Sequence, residues 1–526
     1  MKGSRGTSLR RRITVVAAAV AVVASLVIAG DVTRSDPSPR NAAPRAGCVT
    51  PLPSGSAAPA PTPSARTPRR AVRAAKRGFD RGGDFNGDGR RDTAVSLPYG
   101  KVPGRPDAKV NGKWAAGYVA VVYSGPQGPD PARRQIITHD CLDVPTRGEP
   151  TMEFGTTMES ADFDHDGYDD LLVGGHSEGW GETGLYRIPR ATIVYGGAHG
   201  LTRRAVELRT PPKTLSDFDG LAIGDFDGNG GFDVVATGGF TPRLLFFRDV
   251  VDRPVPAVET APKLIMPNER GAEDAFHSLK VADFNADGRS DLALMVHWLS
   301  EGEENHYWGE LRLGGPRGLS DRATVFGRGW VGLHATTGDV TGDGRPDLVM
   351  RDRNDVPKPQ MSVVPGTPTG LGARQGFTSP ITVGTVDKPG NLDYAVSLEA
   401  ARGFAVGDVT GDGIEDIAVA GDGKVAVIPG GPDGVRPGKA HIIDGQDLPR
   451  PSGSDLRWVG DGLSVGDLTG DGEPELTVGV PEWTTRAGGR VYVLPNGRTQ
   501  GATTVSGAQL GLTQQQDGGF GQLLLP

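Results

Sequence analysis

The sequence predicts an all-β protein, a seven-bladed β-propeller, and three observations predict it. One nine-residue acidic loop is written seven times. The copies recur about every 60 residues, long enough for one four-stranded blade. After residue 77 no long stretch of helical period appears.

In each loop, oxygen-bearing residues stand at positions 1, 3, 5 and 9. The first copy carries Asp84, Asn86, Asp88 and Asp92, the second Asp162, Asp164, Asp166 and Asp170, and the third Asp225, Asp227, Asn229 and Asp233. The fourth has Asp283, Asn285, Asp287 and Asp291; the fifth Asp339, Thr341, Asp343 and Asp347. The sixth has Asp408, Thr410, Asp412 and Asp416, and the last Asp467, Thr469, Asp471 and Glu475. Oxygens at these spacings can converge on one hard cation if the chain coils tightly between them. The glycine at position 6 permits that coil. Calcium takes six to eight oxygen ligands and is the expected ion, at up to seven sites. Magnesium, stricter in geometry, ranks second. No Cys or His recurs at a ligand position, which argues against zinc.

The loop is not an EF-hand, which needs a bidentate Glu at position 12. Here position 12 is Val95, Val173, Ala236, Leu294, Met350, Val419 and Val478, all in apolar, strand-like runs. The loop therefore joins the first two strands of a blade. A third strand follows, as in Lys424-Val-Ala-Val-Ile or Arg490-Val-Tyr-Val-Leu, then a Gly/Pro turn and a less regular fourth strand. The ring needs closing. The terminal Phe520–Leu525 run is expected to pair inside blade one, beside Thr93–Leu97, because the segment before the first loop is too short and polar for an inner strand.

The Phe-Gly start, the Asp-x-Asn/Thr-Gly-Asp-Gly-x-x-Asp loop and the Gly-x-Val-x-Val strand resemble FG-GAP (VCBS-type) repeats. The resemblance covers roughly 77–526. It implies the seven-bladed propeller of integrin alpha chains and of many secreted bacterial proteins, with calcium in the loops. At the start of a repeat the Phe-Gly element is kept at Phe154-Gly155 and Phe520-Gly521 and is otherwise degenerate, and no Arg-Gly-Asp occurs, so integrin biology does not transfer.

The N-terminus reads as a secretory signal at 1–29: basic residues, then an apolar run from Ile13 to Gly30. An uncleaved anchor is the alternative, and the only route to a membrane. Residues 30–76, rich in Pro, Ala, Ser and Arg, are expected to be a disordered spacer. The formal charge is −8, or −13 without the five basic residues of 1–29; seven calcium ions would bring it to about +1. The acidity thus belongs to the loops, and nothing suggests nucleic-acid binding. Cys48 and Cys141 are expected to pair in an exported chain.

Gly175-His176-Ser177-Glu178-Gly179 matches a nucleophile elbow but lacks the helix that must follow. The tryptophans Trp114, Trp180, Trp298, Trp308, Trp330, Trp458 and Trp483 all map to the face opposite the metal loops, Trp308 within an acidic two–three loop. Either they form a ligand face, since aromatics anchor recognition surfaces, or they brace long hairpins. The expected function is a secreted or cell-surface binding or adhesion module for an extracellular protein or glycan. An extracellular carbohydrate-active enzyme using the tryptophan face, and a structural part of an envelope assembly, are the alternatives.

Overall fold

The computed structural model describes residues 82–525 apart from 101–108, 111–112, 115–116, 145–150, 182–183, 210–219, 238–243, 251–257, 261–273, 300–305, 330, 353–360, 383–402, 451–455, 482–487 and 513–518. The signal and spacer expectations, Cys48, Trp330 and Trp483 fall outside the described residues. Among the described residues there is no α-helix, and no helix long and apolar enough to cross a membrane.

Seven four-stranded antiparallel sheets follow one another. Blade two is Met158–Ala161, Asp170–Gly181, Gly184–Val194 and Ala205–Arg209; blade three is Gly220–Gly224, Asp233–Thr237, Leu244–Phe247 and Val258–Thr260. Blade four is Asp274–Ala282, Asp291–Leu299, His306–Arg312 and Thr324–Phe326; blade five is Val331–Gly338, Asp347–Asp352, Met361–Val364 and Gln375–Phe377. Blade six is Phe404–Gly407, Asp416–Gly421, Lys424–Ile428 and His441–Asp444; blade seven is Leu463–Gly466, Glu475–Val480, Arg490–Leu494 and Thr503–Ser506. First strands of successive blades touch one another, so they form the inner ring. Second strands such as Asp233–Thr237 and Glu475–Val480 are buried along their whole length. Neighbouring blades cover both their faces, which suits their near-continuous apolar runs. Fourth strands such as Gln375–Phe377 are the most exposed.

The apolar core is divided among the seams. Seven buried clusters are found, and each draws its residues from two adjacent blades. The seventh seam closes the ring. Blade one has Thr93–Leu97, Tyr118–Gly125 and Gly128–Ile137, and its innermost strand is the C-terminal Leu523–Leu524. Val95 pairs with Leu524 and Ser96 with Leu523, and Leu525 N donates to Ala94 O at 3.1 Å. Phe520 and Leu524 pack with Val491 and Val505 of blade seven and with Val95 and Tyr118 of blade one. The expected closure by the C-terminal segment is observed.

Candidate functional site

The loop begins where each inner strand ends, and the same bonds shape all seven copies. The residue at position 2 (Phe85, Phe163, Phe226, Phe284, Val340, Val409, Leu468) is buried and pins the loop to the seam. One oxygen of the position 1 carboxylate accepts the N–H of position 5, at 2.9–3.2 Å. Its other oxygen accepts the N–H of the position 6 glycine, at 2.8–2.9 Å. Position 5 in turn accepts the N–H of position 7 in every copy.

The position 6 glycines have φ between +86° and +91°. A Cβ at Gly89, Gly167, Gly230, Gly288, Gly344 or Gly472 would meet nothing within 4 Å. The left-handed backbone, not crowding, is what asks for glycine there. Position 4 is left-handed too, in all seven copies, even where it is His165 (φ +56°) or Ala286 (φ +58°). That second requirement was hidden in the sequence because two copies do not use glycine.

Position 9 is the most buried acid: Asp170 is 1 % exposed, and Asp233, Asp291, Asp347 and Asp416 are 0 %. It clamps the loop to the rest of its blade. In the second loop, Phe163 N donates to one oxygen of Asp170 at 2.9 Å and Gly196 N to the other at 2.8 Å. Burial pushes these carboxyls up, to about 8 for Asp170, about 7 for Asp233, Asp291 and Asp347, and about 6 for Asp416. Neighbouring loop carboxylates add to the rise. Burial also raises Asp84, Asp92, Asp162, Asp166, Asp408 and Glu475.

The second loop is the copy with carboxylates at positions 1, 3 and 5, and there Asp162, Asp164 and Asp166 bring one oxygen each within 4.8 Å of the others. Asp164 Oδ1 is buried without a hydrogen-bond partner. The donors are all hard oxygens, and a buried carboxylate oxygen without a donor is costly unless something positive meets it. The residues therefore fit a hard divalent cation of the calcium type. When bound, such an ion would offset the carboxylate charge that the fold concentrates there. In the other loops position 3 or 5 is Asn or Thr, so fewer charges converge.

The sequence reading missed the arginines. Arg204 meets Asp164 at 2.7 Å, Arg248 meets Asp227 at 2.7 Å, and Arg345 meets Asp343 at 2.7 Å. Arg90 and Arg133 lie 3.7 Å from Asp88, Arg289 3.5 Å from Asp287, and Arg436 3.4 Å from Asp412. Some come from position 7, others from the turn after the third strand and Arg133 from the fourth strand of blade one, distances no loop motif encodes. The pairs exposed on both sides, Arg289–Asp287, Arg345–Asp343 and Arg436–Asp412, contribute at most about 1 kcal/mol each.

The loops also touch one another. Asp84 N donates to Asp169 Oδ2 at 2.7 Å, Asp225 N to Ser290 Oγ at 3.0 Å, and Asp339 N to Glu415 Oε2 at 2.6 Å. Across the closing seam, Arg91 N donates to Asp467 O at 3.0 Å and Arg90 Nε to Thr469 O at 3.0 Å.

The tryptophan expectation needs correction. Trp180 and Trp298 are not in loops; they extend second strands whose pairing continues to Gly181–Gly184 and Trp298–His306. Trp308 lies in a third strand, opposite Val296, and is 4 % exposed. It packs in the seam of blades three and four, and its Nε1 donates to Glu310 Oε1 at 3.3 Å. Burial removes Trp308 from any ligand face. Trp114 sits in the small hairpin Lys109–Val110/Lys113–Trp114, and Trp458 is half-buried in a 3-10 turn. The blade-four hairpin adds a stacked pair, His297 and Tyr307, with centroids 4.1 Å apart. Ser177 is fully buried within a strand, paired with Ile188, which is no nucleophile elbow. Cys141 is buried and disulfide-bonded; Cys48 is the other cysteine of the sequence.

The FG-GAP repeat family matches residues 154–188 and 459–494, which contain the second and seventh loops. A rat phosphatidylinositol-glycan-specific phospholipase D is 29 % identical over 215 residues, 39 % of this chain; the chain spans about a fifth (19 %) of that protein's length. Among solved structures, an Agrocybe aegerita lectin that recognises non-reducing terminal N-acetylglucosamine aligns over 81 % of this chain and 91 % of its own, at 15 % identity and a TM-score of 0.44. AofleA from Arthrobotrys oligospora aligns over 64 % of this chain and 83 % of its own, at 13 % identity and 0.30. Two matched repeats, seven loops with one bonding pattern and seven sheets in sequence show a chain that carries FG-GAP repeats and folds as a seven-bladed β-propeller.

Proposed function

We propose that the protein is a secreted or cell-surface propeller, stabilised by calcium in its seven loops, that binds an extracellular protein or glycan. The observation that carries the metal half is the second loop. Three carboxylates converge within 4.8 Å, and one buried oxygen, Asp164 Oδ1, has no protein donor. The binding half is supported by the far face, where the hairpins of blades two and four extend and bring Trp180, Trp298 and the His297–Tyr307 stack to the end away from the metal loops. Aromatic anchors on a rigid scaffold suit recognition. The ions, on the loop face, would then set stability and leave the ligand to the hairpins. The phospholipase activity of the rat relative is not transferred, because the shared part is a small fraction of that enzyme.

Glycan and surface-protein arrays test the proposal, run with the calcium-loaded protein, with chelator, and with Trp180→Ala/Trp298→Ala. Binding lost in the tryptophan variant at unchanged melting temperature supports the far face. Binding that survives in that variant moves the ligand elsewhere.

A further inference from the structure

Resting on the reading of the loops as calcium sites, we propose that Asp249, outside the repeat motif, is a positioning residue of the third site. It fixes the amide of Asn229 with its oxygen toward the loop, and it supplies the carboxylate that position 5 lacks.

In six loops position 5 is Asp, and one oxygen accepts the N–H of position 7. Four of the outer oxygens meet an arginine, at Asp88, Asp287, Asp343 and Asp412. The third loop inverts this polarity. Asn229 Oδ1 accepts from Gly231 N at 2.6 Å, and Asn229 Nδ2 donates to Asp249 Oδ1 at 2.8 Å. A carboxylate stands where four other loops have a guanidinium. An amide has one acceptor and one donor end, so two bonds of opposite sense hold its oxygen inward.

Asp249 occupies a place that other blades leave without a large side chain. Its N–H donates to Asp233 Oδ1 at 2.8 Å; the matching donors to position 9 are Ser124, Gly196, Gly314, Gly366 and Gly430. A Cβ at Gly196, Gly314, Gly366 or Gly430 would come within 2.2–2.4 Å of the position 8 carbonyl. Asp249 escapes by taking φ +45°. Position 7 makes room for it. Gly231 is the glycine found there among the seven loops, and its Cβ would lie 2.6 Å from Asp249 Oδ1. The three deviations, Asn229, Gly231 and Asp249, thus fit one another. Together they add the Asp249 carboxylate to a loop that already carries Asp225, Asp227 and Asp233. Arg248 on Asp227 faces the same loop and offsets one of these charges. A bound cation would answer the rest.

Hydrogen exchange on the full chain, titrated with calcium alone, tests this. In the wild type, calcium should slow exchange in segments covering 225–233 and 162–170. In Asp249→Gly, half-protection of 225–233 should need about tenfold more calcium or beyond, the usual cost of losing an outer-shell partner. Segment 162–170 should respond as before. The variant removes the left-handed side chain and restores the residue type of four other blades, so misfolding would not explain the loss. Asn229→Asp/Asp249→Gly, which rebuilds the common loop, should return 225–233 to the wild-type response. Unchanged protection of 225–233 in Asp249→Gly overturns the proposal, as does a double variant no better than the single one. Calcium that protects neither segment overturns the calcium reading itself, a pattern distinct from either failure.

Discussion

Deleting residues 517–526 removes the strand that closes the ring. Phe520, Leu524 and Leu525 are 0 %, 7 % and 5 % exposed, and they fill the last seam and its neighbour. At about 1.5–3 kcal/mol per buried side chain, their loss costs roughly 5–9 kcal/mol. The bond from Leu525 N to Ala94 O adds about 1 kcal/mol. Domains hold about 5–15 kcal/mol in all. The deletion should therefore leave the propeller unfolded or close to it, even with saturating calcium. Urea unfolding followed by circular dichroism and tryptophan fluorescence reads this directly. Leu524→Ala should fold but lose about 2–5 kcal/mol. A peptide of residues 517–526 added in trans should shift the deletion variant's midpoint back up. A deletion variant with the wild-type midpoint would refute the closure argument, since no reading of the seam leaves those side chains without weight.

Four further outcomes are expected. Chelation should lower the melting temperature by many degrees, with calcium restoring it better than magnesium; an unchanged melt in excess chelator refutes the metal reading. Asp166→Ala should lower calcium-dependent stability more than Thr469→Ala, because it removes a charge from the convergent triad; equal shifts in calcium titrations of the melt would count against that site. In chelator, stability should fall as pH rises. Asp170, Asp233, Asp291, Asp347 and Asp416 sit at about 6 to about 8 in the folded chain against a usual 3.8, so their contribution is present below pH 4 and lost through pH 6–8. Melts between pH 4 and 8 check the sign. Trp308→Ala should destabilise by about 3–5 kcal/mol as a core truncation, measured by urea midpoint.

The fold was legible because its unit repeats. Each loop announces the turn between two strands, and the Phe520–Leu525 run at the far end of the chain announced the missing inner strand. The loop residues were legible for the same reason: acids at fixed spacing in seven copies point to one geometry. What stayed hidden lies across blades or outside the motif. Asp249 and Arg204 reach their loops from the turn after the third strand. Asp169 and Glu415 reach the neighbouring loop across a seam. Trp308 was misplaced because the acidic run before it reads as a loop, whereas strand pairing already resumes at His306 and turns the indole into the seam.

The bonding pattern also says what calcium would change. Positions 1, 5 and 9 already accept backbone N–H groups in all seven copies, so the loop's shape is set by the chain itself. An ion would then act mainly on charge, offsetting carboxylates that burial drives toward the protonated form. These bonds would hold the shape without the ion, but at a cost in repulsion that grows as the acids ionise. Chelated protein at neutral pH should thus keep its β-sheet spectrum at low temperature and lose it on mild heating. Collapse of the spectrum on chelation in the cold would mean that the ion builds the loops.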